Sequence, residues 1–161
     1  MTEAAVSFRG RWGAFVQERF RPLPHLVLLG LFFVGNRRIG TEDLGRDVLC
    51  FVVLLLAFFR LRIQDDLKDL ASDRALYPER PLPRGLIPAS EAWAVSFAIA
   101  GLEVLAVLAL GRAALVWWLV WFGFSLLMMR EFFVGKWLEA CPELYAVVHT
   151  PFAMFAGWFL A

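Results

Sequence analysis

The sequence is poor in cysteine, with only two among its 161 residues. Cys50 lies inside an apolar run and Cys141 lies far along the chain, so we expect two plain thiols rather than a disulfide framework or a metal site. Long basic runs and zinc-ligand spacings are also missing, and the formal net charge is only +1, which gives no indication of nucleic-acid binding. The N-terminal residues do not show the apolar core and small-residue cleavage site of a signal peptide.

Apolar residues, in contrast, are abundant. Hydrophobic residues make up 60% of the chain and aromatic residues 16%, whereas soluble domains contain about 45–50% apolar residues. A bilayer-spanning helix needs about 20 residues, with about 17 as the lower limit. Five apolar stretches therefore predict an all-α, multi-span transmembrane bundle forming a single membrane domain over residues 1–161, although the first stretch is short. They cover residues 23–35, 44–61, 92–110, 113–129 and 144–161.

The segment 1–22 mixes aromatic and basic residues at helical spacing. Such a pattern is typical of an amphipathic helix lying in the membrane interface. Twelve of the 16 Lys and Arg residues fall on one side of the predicted bundle if the N-terminus is cytoplasmic. The four on the other side are Arg37, Arg38, Arg46 and Arg112. The positive-inside rule thus predicts a cytoplasmic N-terminus and a cytoplasmic segment 62–91.

Four aspartates follow the second apolar stretch: Asp65, Asp66, Asp69 and Asp73. At about 100° per residue, Asp66, Asp69 and Asp73 share one helix face. Carboxylates at the end of a membrane helix are costly and often functional, and such a cluster suits Mg²⁺, which in turn recruits phosphate. The alternative is a solvated, charged helix end.

This segment and the loop after it resemble a known family motif. The residues Asp66, Asp69 and Asp73, followed by Pro78-Glu79-Arg80-Pro81-Leu82-Pro83-Arg84-Gly85, are similar to the first aspartate-rich motif of UbiA-type intramembrane prenyltransferases. That motif reads Asn-Asp-x-x-Asp-x-x-x-Asp and is followed by Pro-x-Arg-Pro-Leu-x-x-Gly. Asp65 departs from it, since the family more often has Asn there.

The resemblance implies the first half of a nine-helix bundle. It implies an enzyme that holds an isoprenyl diphosphate through Mg²⁺ and transfers the isoprenyl group to a lipophilic or aromatic acceptor. Asp66, Asp69 and Asp73 would be the metal ligands, with Asp65 as an auxiliary. Metal ions offset the charge of a leaving diphosphate, and basic side chains add hydrogen bonds to it.

Three arginines are candidate diphosphate contacts. Arg80 belongs to the matching loop, and Arg84 lies in the same proline-stiffened loop. Arg62 precedes Asp66 by four residues and shares its helix face, whereas Lys68, roughly 200° from Asp66, points away. No residue is assigned a catalytic role.

Residues after position 90 supply no second aspartate-rich motif. We therefore expect the chain to be the N-terminal half of such a protein or a truncated homologue, inactive on its own. The alternative is a non-catalytic membrane protein that keeps one metal and diphosphate motif for binding, transport or support of a partner.

Other residues admit two interpretations each. Glu103 lies within the third apolar stretch, either as a functional carboxylate or as a protonated glutamate hydrogen-bonded across a helix pair. His149 beside Pro151 can contact an acceptor or serve packing. The aromatic run Trp117, Trp118 and Trp121 can line a prenyl channel or contact lipid and neighbouring helices. Arg130 is either an interfacial anchor or a diphosphate contact.

Overall fold

The computed structural model describes residues 7–37 and 43–161, and this part of the chain is helical and contains no strand. The prediction of an all-α fold is therefore confirmed. Residues 1–6 of the predicted interfacial segment and Arg38 lie outside the described residues. The elements are α1 Phe8–Arg19, α2 Pro22–Asn36, α3 Leu44–Lys68, α4 Leu70–Leu76, α5 Ala89–Leu110, α6 Arg112–Met129, a 3₁₀ turn Glu131–Phe133, α7 Gly135–Glu139, α8 Pro142–His149 and α9 Pro151–Leu160.

Local sequence explains where these helices begin and end. The Ser7 hydroxyl accepts a hydrogen bond from the Gly10 N–H at 3.2 Å, and the Asp43 carboxylate accepts one from the Arg46 N–H at 3.1 Å. Each oxygen satisfies an N–H that has no partner inside its own helix. Gly111 separates α5 from α6 with φ +99, a conformation that glycine adopts without steric cost.

The long helix α3 is the centre of the packing. It packs most extensively on α5, α6 packs on α5 and α9, and α2 lies against α3 and α9. Aromatic and aliphatic side chains fill the space between these helices, among them Val53, Leu54, Val107, Trp118, Trp121, Phe152 and Phe159. Trp118 and Trp121 are buried helix contacts, whereas Trp117 is 39% exposed.

Two helices, α5 and α6, are long and apolar enough to cross a bilayer. Only 22% and 28% of their apolar segments are buried within the protein, so most of their surface is free to face lipid. Helix α2 has 15 residues, about 22 Å at 1.5 Å per residue, which is short of a ~30 Å hydrocarbon core. The expected total of about five spans is not confirmed.

Two features explain why the other predicted spans differ from α5 and α6. Helix α3 has 25 residues but carries Arg46 and Asp47 near its start and Arg60 and Arg62 near its end. The last stretch is divided into α8 and α9 before Pro151, whose ring nitrogen has no hydrogen to continue the helical bonding.

Helix α1 covers the end of α3 that carries the aspartates. Its Trp12 and Phe15 are buried against Ile63 of α3, Leu82 of the following loop and Ile99 of α5. Trp12 and Phe15 of α1 are therefore covered by protein, whereas Phe8 at its start is 53% exposed. Placement of segment 1–22 at a membrane interface stays a prediction.

Candidate functional site: a carboxylate and guanidinium cluster

The aspartates lie where α3 passes into α4. Asp65 and Asp66 are in the last turn of α3, Asp69 is the junction residue, and Asp73 is in α4. The Asp69 N–H donates to the Asp65 carbonyl at 2.9 Å, and the Asp73 N–H donates to the Asp69 carbonyl at 2.8 Å. Because helical bonding continues through the junction, the carboxylates stay on neighbouring turns.

Asp66 is the most enclosed of the four, with 1% of its surface exposed. The Arg19 guanidinium of α1 donates to both oxygens of this carboxylate, from Nε to Oδ2 at 2.8 Å and from Nη2 to Oδ1 at 2.7 Å. Arg62, one turn earlier on α3, also donates to Oδ1. Burial raises the pKa of Asp66, and the Arg19 hydrogen bond and charge oppose that rise. Arg62 therefore pairs with the carboxylate whose helix face it shares.

Asp73 is paired with Arg80, the arginine of the matching loop. Arg80 Nη1 lies 2.7 Å from each carboxylate oxygen of Asp73, and its guanidinium carbon lies 3.7 Å from the centre of the Tyr77 ring. Leu82 is buried beneath the loop. Two anchors, one ionic and one aromatic, thus fix the guanidinium of Arg80.

Arg84 faces helix α1 instead. Its Nη2 and Nη1 groups donate to the two carboxylate oxygens of Glu18 at 2.8 and 3.0 Å, and Nη1 also donates to the Glu79 carbonyl at 2.6 Å. The two candidate arginines of the loop therefore lie in different surroundings.

Asp65 and Asp69 interact with Lys68 rather than with the arginines that hold Asp66 and Asp73. Burial, partly offset by the charge of Lys68, raises the pKa of Asp65 to about 6. Burial also raises the pKa of Asp69, again against the effect of Lys68. The Lys68 ammonium lies 3.7 Å from Asp69 Oδ1 and 3.3 Å from Glu131 Oε1. Lys68 makes no ion pair with Asp66 within the described structure, consistent with its predicted direction.

The donor chemistry suits Mg²⁺, which prefers carboxylate oxygens and water. The placement does not, because guanidinium groups already occupy the Asp66 and Asp73 carboxylates. Across residues 7–37 and 43–161, no three His, Cys, Asp or Glu side chains lie close enough to share a metal ion. A bound Mg²⁺ would have to displace Arg19 or Arg80, and the metal site stays a prediction.

Sequence reasoning missed the contribution of α1. Besides Arg19 and Glu18, Arg11 Nη2 donates to Glu91 Oε2 at 2.6 Å and Trp12 Nε1 donates to Glu91 Oε1 at 2.8 Å. Arg11 and Glu18 are seven residues apart, two helical turns, so they share a face. A basic and an acidic residue on one face of α1 indicate that this face pairs with charged residues of another segment, and the spacing could have predicted it.

A second polar cluster lies deeper, between α3, α5 and α6. Glu103 is fully buried and accepts hydrogen bonds from Arg60 Nε at 2.8 Å, Arg60 Nη2 at 3.2 Å and Trp118 Nε1 at 2.9 Å. Arg60 Nη1 also donates to Ser125 Oγ at 3.1 Å and Gln64 Oε1 at 3.3 Å. Glu103 is thus bonded across helices, one of its two interpretations, but with an arginine as partner.

His149 is part of a packed aromatic group. Its ring lies 3.9 Å from that of Tyr145 in a stacked arrangement and meets Phe132 edge-on. Its Nδ1 is 2.7 Å from the Tyr145 carbonyl oxygen. These contacts correspond to the packing interpretation of His149.

A cleft of about 580 Å³ opens beside the buried ion pair. Arg60, Gln64 and Lys68 of α3 form its polar wall, and Arg130 lies at the end of α6.

No protein-family model, curated protein or solved structure matches this chain, so nothing in those comparisons bears on the resemblance of the aspartate-rich segment.

Proposed function

We propose that this chain is an integral membrane protein of the UbiA-like prenyltransferase type, or its N-terminal half. It binds an isoprenyl diphosphate at the α3–α4 junction and contributes to transfer of the isoprenyl group to a lipophilic acceptor. In this proposal the protein is multi-pass, with its N-terminus and segment 62–91 on the cytoplasmic side. The twelve basic residues assigned to that side support the orientation.

The observation that carries the proposal is the way Arg80 is held. Both of its hydrogen bonds to Asp73 come from Nη1, and within the described chain its Nε and Nη2 groups donate to no other residue. The Nε–Nη2 edge is therefore free for a second acceptor. A planar guanidinium edge matches two oxygens of one phosphate, and the Tyr77 ring keeps this edge in a fixed orientation.

The charged side chains at this end of the bundle leave a net positive charge for a phosphate group. Arg19, Arg62 and Arg80 lie around two buried aspartates at one end of the bundle. A divalent cation belongs to the proposal because Mg²⁺ is commonly held by one or two carboxylates together with the phosphates of a substrate. The aspartates would have to exchange an arginine for the cation.

A second candidate is a protein that binds the diphosphate without catalysing transfer. The occupied carboxylates favour it, since a cluster neutralised by arginine can bind phosphate through its guanidinium groups without a metal.

Binding of geranyl diphosphate to the purified chain in detergent tests the shared step. Arg80→Lys keeps the charge but loses the fork, so we expect affinity to fall by about 1–3 kcal/mol. Arg74→Lys is the matched control, since Arg74 is an exposed residue of α4 outside the matching loop. Equal affinities in wild type, Arg80→Lys and Arg74→Lys would show that the loop does not bind diphosphate.

The same preparation separates the two candidates. An enzyme should release diphosphate when a lipophilic acceptor and Mg²⁺ are added, and a binding protein should retain geranyl diphosphate unchanged. Binding that does not respond to Mg²⁺ or its removal by chelation would contradict the metal part of the proposal.

A further inference from the structure

The cleft beside the Arg60–Glu103 pair has one polar wall and two largely apolar walls. Lys68, Gln64 and Arg60 follow one another at four-residue intervals on α3, so they form a row about 12 Å long. The other walls come from the start of α5, with Trp93, Phe97 and Ala100, and from the end of α6, with Leu126 and Arg130. Its volume of about 580 Å³ lies within the usual range of about 300–1,000 Å³ for ligand pockets.

The apolar side of the cleft is open to the exterior. Phe97 of α5 is 68% exposed and Leu126 of α6 is 43% exposed. Both belong to the two helices that are long and apolar enough to cross a bilayer. A hydrocarbon chain in the bilayer can therefore reach the cleft sideways, between α5 and α6.

The three basic residues of the cleft differ in how they are paired. Arg60 is neutralised by Glu103, and no acidic residue is among those that line the cleft. The Lys68 ammonium lies between two carboxylates, 3.3 Å from Glu131 Oε1 and 3.7 Å from Asp69 Oδ1, and 3.4 Å from Tyr145 Oη. None of these contacts is short, so the ammonium can still donate to a phosphate oxygen. Arg130 is exposed and makes no ion pair within residues 7–37 and 43–161.

We propose that this cleft binds an anionic membrane phospholipid, with Lys68 and Arg130 contacting the headgroup phosphate and one acyl chain lying along Phe97, Ala100 and Leu126. Basic pockets between membrane helices bind such headgroups, and each basic residue near an anionic lipid surface contributes about 1 kcal/mol. Trp93 lines the same cleft as Lys68 and Arg130, and tryptophan is common at the boundary between headgroups and acyl chains.

The lipid site lies away from Asp66 and Arg19, because Lys68 is roughly 200° from Asp66 around α3 and Asp66 binds Arg19 of α1. Lys68 is nevertheless 3.7 Å from Asp69, so Lys68→Gln also removes a partner of the aspartate-rich segment. Arg130→Gln, at a residue with no aspartate partner in the described structure, therefore tests the lipid site alone.

Native mass spectrometry of the full chain, after exchange from detergent with defined lipid, measures the binding. We expect phosphatidylglycerol to be retained more strongly than phosphatidylcholine of the same acyl length. Lys68→Gln and Arg130→Gln should each weaken phosphatidylglycerol binding about fivefold, equivalent to ~1 kcal/mol. Arg74→Gln, which removes an exposed charge of α4 away from the cleft, should leave it unchanged.

A cleft-filling variant distinguishes a site from general surface charge. Ala100→Trp keeps every basic residue but occupies the acyl-chain path, so it should reduce phosphatidylglycerol retention while thermal unfolding shows that the protein remains folded. Equal retention of the two lipids, or equal loss in Arg74→Gln, would overturn the proposal. Displacement of the lipid by inorganic phosphate alone would assign the cleft to a free anion, and displacement by geranyl diphosphate would assign it to the isoprenyl substrate. Either result would also overturn the phospholipid assignment.

Discussion

Replacement of Glu103 by glutamine should destabilise the protein strongly. Glu103 is fully buried and Arg60 is 2% exposed, and the two side chains share two hydrogen bonds at 2.8 and 3.2 Å. Glutamine keeps the shape and can still accept a hydrogen bond from Trp118, but it leaves the Arg60 guanidinium buried without a counter-charge. Removal of one partner of a buried ion pair costs about 3–5 kcal/mol.

The remaining partners of Arg60 determine where in that range the result falls. Ser125 Oγ and Gln64 Oε1 still accept from Nη1 at 3.1 and 3.3 Å, and the guanidinium carbon lies 4.6 Å from the centre of the Phe122 ring. These neutral dipoles and the ring face stabilise a cation only in part. We therefore expect a loss near the lower end, about 3 kcal/mol.

The double variant Arg60→Met/Glu103→Gln separates charge from packing. It removes both charges together and keeps an acceptor for the buried Trp118 N–H, so it should be much more stable than Glu103→Gln and close to wild type, because uncharged residues of similar volume often replace a buried pair without loss. Glu79→Gln, at an exposed position of the loop after α4, is the matched control and should change stability by less than about 0.5 kcal/mol.

Unfolding in detergent, followed by tryptophan fluorescence with increasing denaturant, gives the free energies. A loss below about 1 kcal/mol in Glu103→Gln would mean that water or another group compensates Arg60. A double variant as unstable as Glu103→Gln would show that packing volume, not the unpaired charge, dominates this site.

Two further predictions concern the aspartate cluster and the turn after α6. Burial raises the pKa of the Asp65 carboxyl from 3.8 to about 6, so the folded state binds the carboxyl proton more tightly than the unfolded state does. Asp65 therefore lowers the free energy of unfolding as pH rises from about 4 to 6. Asp65→Asn should therefore be more stable than wild type at pH 7.5, by at most about 3 kcal/mol, and equal to it at pH 4; a difference independent of pH would contradict this. Phe133 is 79% exposed with φ +62, so Phe133→Gly should raise the unfolding free energy by about 1 kcal/mol. Phe132→Gly, at φ +53, should give less or a loss, because it removes ring contacts to Phe124 and His149; an equal gain in both would mean that those contacts contribute nothing.

Several parts of the fold were predictable from local sequence. Helix α5 was predicted as 92–110 and runs from Ala89 to Leu110, and α6 was predicted as 113–129 and runs from Arg112 to Met129. Apolar composition and helix-ending glycine act within a few residues, so they can be recognised along the chain. The number of spans was less predictable, because composition alone does not distinguish a charged core helix such as α3 from a lipid-facing helix.

The candidate site was predictable only in part. The spacing of Asp66 and Asp73 and the position of Arg80 in the loop could be read from the sequence, and Arg62 lies within one helical turn of Asp66. The partner that encloses Asp66 could not, because Arg19 lies 47 positions away along the chain. Arginines are numerous here, and only packing of α1 on α3 decides which one reaches Asp66.

The sequence by itself determined the class of the protein, a helical chain with apolar stretches of membrane length and a cluster of aspartates beside a proline-rich loop. Tertiary structure alone decided the charge pairs between residues that are far apart in the sequence. Arg60 and Glu103 are 43 positions apart, and neither residue has a feature in its local sequence that identifies the other. An ion pair depends on a separation of a few ångströms, and the packing of α3 against α5 and α6 sets that separation.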